Sequence, residues 1–102
     1  MNVIRQGDVC LIQVAKLPKG AVAVESKDRV VLAFGEVTGH AHAIYDVTKA
    51  RLWDVGVERF LQVLEPVSLA HEEHTHKMLE PGIYYLPQQV EYSPAELRRV
   101  AD

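Results

Sequence analysis

Cysteine is almost missing from the chain, which carries one, Cys10, in 102 residues. A lone thiol bridges nothing within a monomer and supplies no thiolate metal cluster, which excludes a disulfide scaffold and fits a reducing, cytosolic setting. Charge of one sign is lacking too. Lys and Arg number 11 against 14 Asp and Glu, a net charge of -3 with no basic block, so nucleic acid is not an expected partner. No apolar run approaches the roughly 18 residues of a membrane span. The opening stretch MNVIRQGDVC has no basic segment leading into an apolar one, so no membrane association and no secretory leader are expected. What is present, 48% apolar and 25% charged residues, describes one domain over 1–102. A chain of this size buries roughly two-thirds of its unfolded surface in a single core.

Stripes of helical period are scarce, and the apolar residues come instead in short β-branched runs broken by Gly and Pro. Strands are expected over Asp8–Val14, Ala21–Glu25, Arg29–Phe34, His40–Val47, Ala50–Val55, Val57–Leu64 and Ile83–Tyr92, with the short run Val67–Ala70 leading into the polar segment His71–Lys77. The pair flanking Gly56 reads as a hairpin, and Pro87 marks an edge or a bulge. Ser93-Pro94-Ala95-Glu96 has an N-cap Ser, Pro at the first helical position and Glu two residues later, which predicts about two turns of helix at the C-terminus. The fold class expected is all-β: a small β-barrel or β-sandwich with a short C-terminal helix.

All five histidines fall in two windows, Gly39-His40-Ala41-His42 and His71-Glu72-Glu73-His74-Thr75-His76. Residues i and i+2 of a strand share one face, roughly 6.6 Å apart, so His40 and His42 can aim at one point, and so can His74 and His76. If the two segments are neighbours, three or four imidazoles converge on a divalent ion at roughly 2.0 to 2.2 Å. The expected ligands are His40, His42, His74 and His76, with His71 as a substitute and Glu73 as general base or further ligand. Imidazole suits Zn, Fe, Ni, Cu and Mn, and three protein ligands plus water would leave a reactive position. The bland reading is that these are solvated loop histidines, or strand histidines held by neighbouring carbonyls.

Other chemistries find less support. His71 and His74 are spaced i, i+3, whereas the zinc-protease helix needs i, i+4. No phosphate-binding glycine loop, dinucleotide fingerprint or nucleophile elbow occurs, and Cys10 sits in an apolar strand as a core thiol would. Two further functions stay open. One is a non-catalytic interaction or regulatory module that pairs with a protein partner through a strand edge. The other is a metal-independent nuclease using two histidines as acid and base, with a Tyr or Lys77 facing the phosphate. Tyr45, Tyr84, Tyr85, Tyr92, Trp53 and Phe60 could line a small-molecule pocket, although packing explains them equally well. A homodimer is expected, because a small barrel gains from covering a proline-broken edge.

The His40-Ala41-His42 triplet and the later Glu80-Pro81-Gly82 are similar to cupin motifs, with departures. Gly35 stands one residue too close to the triplet, Asp46 replaces the usual Glu, and the second histidine cluster precedes the Pro-Gly turn instead of following it. Over nearly its whole length the chain resembles small bacterial and phage proteins of unknown function. The segments carrying the resemblance are Gln6-Gly7-Asp8-Val9, GEVTGHAH from Gly35 to His42, HEEH from His71 to His74, Pro81-Gly82 and Glu91-Tyr92-Ser93-Pro94. That resemblance implies a common design around the two histidine segments and names no reaction.

Overall fold

Ten strands follow one another in the computed structural model, which describes residues 2–35 and 39–87. They are β1 (Val3–Gln6), β2 (Val9–Val14), β3 (Val22–Val24), β4 (Val30–Phe34), β5 (Ala41–Ile44), β6 (Ala50–Val55), β7 (Glu58–Val63), β8 (Val67–Leu69), β9 (Lys77–Leu79) and β10 (Gly82–Leu86). Among the described residues all regular structure is β, and no helix is long and apolar enough to cross a membrane. The helix expected from Ser93, and the end of the strand expected over Ile83–Tyr92, lie outside the described residues.

Six strands form one antiparallel sheet in the order β1-β2-β10-β7-β6-β3, while β4-β5 and β8-β9 make two-stranded sheets of their own. Among the described residues the sheets are open, with β1 and β3 at the edges of the large one, and their ladders do not close into a barrel. Alternation explains the core. Val9 and Leu11 of β2, Leu52 of β6, Leu61 and Val63 of β7, and Tyr84 and Leu86 of β10 cluster with Val30, Leu32, Ile44, Val67, Leu69 and Leu79 of the small sheets. Leu61 stands opposite both Leu52 and Tyr84, which places three large side chains in one row across the sheet. The Tyr84 hydroxyl donates to the Glu80 carbonyl at 2.7 Å, satisfying the one polar atom of that row.

The β6-β7 hairpin forms where the sequence predicts it. Gly56 is at φ 59 in the first of two turn residues, a conformation for which a side chain is a handicap. Two strands escape the sequence pattern. β1 is a short edge strand whose Arg5 and Gln6 hide its period, and β9 begins only at Lys77, so His71 to His76 form a loop between β8 and β9. That loop changes the geometry of the second histidine segment. His74 and His76 do not share a strand face.

Candidate metal centre

A single backbone bridge brings the two histidine segments together. Ala43 N–H donates to Ala70 O at 2.9 Å and Ala70 N–H donates to Ala43 O at 2.8 Å, joining the β5 end of one small sheet to the β8 end of the other. An antiparallel pair advances one residue on each side at every step. Continuing from the bridge therefore sets His42 opposite His71, Ala41 opposite Glu72 and His40 opposite Glu73. The side chains follow that register. His42 and His71 have ring centroids 4.3 Å apart, Ala41 N–H donates to Glu72 Oε1 at 2.9 Å, and His40 Nδ1–H donates to Glu73 Oε2 at 3.0 Å.

The loop then turns back, and His71 Nδ1 accepts the Glu73 backbone N–H at 3.0 Å. This tight turn puts His74 beside His71, at 4.6 Å between centroids, and over His42 at 5.7 Å with the rings nearly parallel. One nitrogen from each of His42, His71 and His74 lies within 4.8 Å of the other two. A tetrahedral ion with bonds of about 2.1 Å holds its ligand atoms roughly 3.4 Å apart, so small side-chain rotations close the gap. His42 and His71 are buried at 4% and 8% exposure, whereas His74 is exposed.

Below the rings lies buried Gln6, 2% exposed, at the end of β1. Its amide contacts His42 Nδ1 through Oε1 at 2.8 Å, and its Nε2 donates to Leu69 O at 2.9 Å and to Thr75 O at 3.0 Å. Two glycines form the walls. A Cβ on Gly7 would stand 2.5 Å from His74 Nε2, closer than a side chain allows, and one on Gly35 would stand 3.3 Å from His71 Nε2, a tight contact that the ring would have to give way to slightly. Between them is a cavity of about 340 Å³ lined by Gly7, Asp8, Gly35, His40, His42, His71, Glu73 and His74. That volume sits at the small end of ligand pockets. A larger surface hollow of about 490 Å³ beside Glu25, Lys27 and Arg51 contains no histidine and gathers no set of ligating atoms.

Burial holds the His42 pKa below its ordinary value of 6.5, and positive charge on His71 or His74 would push it further down. Glu72 is held below the usual carboxylate range mainly by the N–H of Ala41. The two effects favour neutral His42 and ionised Glu72, the forms in which those side chains can accept a cation.

The residues named from sequence are distributed unevenly. The rings of His42, His71 and His74 come together, with His71 4.3 Å from His42 and 4.6 Å from His74. His40 stands outside the trio, with its ring edge-on to His71 at 5.9 Å and its Nδ1 engaged by Glu73. Glu73 therefore faces the cavity as the partner of His40. His76 is exposed and stands apart from the three clustered rings. Gln6 was not anticipated as a site residue. Its only signal was membership of the Gln6-Gly7-Asp8-Val9 segment.

A family model described as Domain of unknown function (DUF8820) matches residues 5–89. The chain belongs to that family. The DUF8820 match takes in Gln6, all five histidines and the strands from β2 to β10, so the whole candidate centre lies inside it. No curated protein and no solved structure matches the chain significantly.

Proposed function

We propose that the chain binds one divalent transition-metal ion through His42, His71 and His74. The observation carrying this reading is the convergence of three imidazole nitrogens, within 4.8 Å of one another, at the wall of a small polar cavity. Zn, Fe, Ni, Cu and Mn all accept such a donor set. Three protein ligands leave at least one coordination position for water or a small molecule, with the His40–Glu73 pair beside it to exchange protons, which makes the site a candidate metalloenzyme centre.

One hydrogen bond opposes the ion and is outweighed. His71 Nδ1 accepts the Glu73 N–H, so a neutral ring there carries its proton on Nε2. Ligation through Nε2 requires the other tautomer and loss of that bond, at about 1 kcal/mol. Tight biological zinc sites gain on the order of 10 kcal/mol. The lone buried Cys10 supports a reducing cytosolic setting, and the open edges at β1 and β3 support a second copy as partner.

Titration of the metal-free protein with Co²⁺ tests the proposal. Visible absorption bands that saturate at one equivalent and vanish in His42→Ala support it. A featureless titration, with the protein recovered instead in a stable complex with another protein, would favour the interaction module.

A further inference from the structure

Gln6 touches both halves of the centre. Its side-chain NH2 group has two hydrogens, and both are committed, to Leu69 O and to Thr75 O. Those carbonyls stand at the two ends of the loop that carries His71 and His74. A flipped amide would aim an oxygen at two carbonyl oxygens with no proton between them, so the orientation of Gln6 is settled by its partners. Its Oε1 can then only accept, and His42 Nδ1, 2.8 Å away, must be the donor. A neutral imidazole that donates from Nδ1 keeps its lone pair on Nε2.

We infer that Gln6 is a positioning residue for the centre: one buried amide closes the 69–75 loop and fixes His42 in the tautomer whose Nε2 is available to a metal ion. This deepens the proposed metal-binding function and rests on it for its purpose, though not for its geometry. The arrangement corresponds to an outer-shell partner, whose loss typically weakens metal binding roughly 10- to 100-fold. The neighbouring side-chain bonds do less: Glu72 accepts from Ala41 N–H and His71 from Glu73 N–H, and neither ties the two ends of the loop together.

The two roles separate by substitution. Gln6→Glu keeps an acceptor for His42 and removes both donors to the loop, whereas Gln6→Leu removes all three contacts. Long-range ¹H–¹⁵N correlation spectra of the imidazoles, recorded without metal at about pH 8.5, about two units above the ordinary imidazole value, report which nitrogen of His42 carries the proton. The wild-type chain is expected to show His42 protonated on Nδ1. Gln6→Glu should retain that tautomer while hydrogen exchange at the Ala70 to Thr75 amides accelerates, and Gln6→Leu should lose both. Affinity for Co²⁺ should fall by roughly 10- to 100-fold in Gln6→Leu, which loses the partner of His42 altogether.

Wild-type His42 protonated on Nε2 overturns the inference whether or not either variant folds. A tautomer unchanged in a folded Gln6→Leu chain overturns it as well. If the tautomers behave as expected and no Co²⁺ binds, the positioning role stands and the metal reading falls. If Co²⁺ binds equally well to wild type and to Gln6→Leu, the metal reading stands and the positioning role falls.

Discussion

Ala43 and Ala70 exchange both of their backbone hydrogen bonds, at 2.9 and 2.8 Å, across the gap between two otherwise separate hairpins. The pairings of His42 with His71 and of His40 with Glu73 follow from that register. The bridge is the smallest unit of sheet, yet it decides which imidazoles meet. Ala70→Pro removes one N–H of the bridge and leaves the buried Ala43 carbonyl unpaired. It should cost about 1 to 3 kcal/mol by urea unfolding and abolish saturable Co²⁺ binding. Retained binding would mean that the segments are held together by other means.

Gly7 lies at φ 56 with His74 Nε2 where its Cβ would be. Gly7→Ala combines a backbone conformation that costs an L residue roughly 1 to 2 kcal/mol with a steric clash against a proposed ligand. Metal affinity should fall more than tenfold while the large sheet stays folded. Gly20, also at positive φ but with no heavy atom within 4 Å of its Cβ position, is the control. Gly20→Ala should lose a similar amount of stability and keep the metal.

The pH dependence of stability follows from His42. Its folded-state pKa lies below the unfolded value of 6.5, chiefly because burial disfavours the charged ring. The unfolded chain therefore binds more protons than the folded one just below pH 6.5, and stability rises with pH across that window. The contribution is complete above 6.5 and is lost as pH falls through the folded pKa. Urea midpoints measured along this range should climb in the wild type and flatten in His42→Gln. Metal affinity should fall in the same direction, since protons and the ion compete for the same nitrogens.

His74 and His76 offer a direct comparison two residues apart. His74→Ala should remove saturable metal binding, whereas His76→Ala should leave affinity within about twofold, because His76 stands outside the clustered trio. Equal losses would place both segments' i, i+2 pairs back in contention.

The strands with clear alternation or continuous apolar character, over 9–14, 30–34, 50–55 and 58–63, were legible in the sequence because they bury their period in one core. The grouping of all histidines in two windows was legible as well. The grouping of the rings was not, for a physical reason. Reading the second window as a strand paired His74 with His76, whereas the loop closed by the Glu73 N–H on His71 pairs His71 with His74. Gln6 was hidden because an amide has no periodic signature, and its role appears only when burial and three hydrogen bonds are seen together. Residue spacing pointed to the histidines, and the Ala43–Ala70 bridge with the turn at Glu73 decides which rings meet.

The central claim is a single ion shared between the two segments, and elemental analysis of untagged protein tests it most directly. After incubation with excess Zn²⁺ and desalting, the wild-type chain should retain about one equivalent, and His42→Ala and His71→Ala should retain none. Less than a tenth of an equivalent in the wild type, or full retention in either variant, would contradict it.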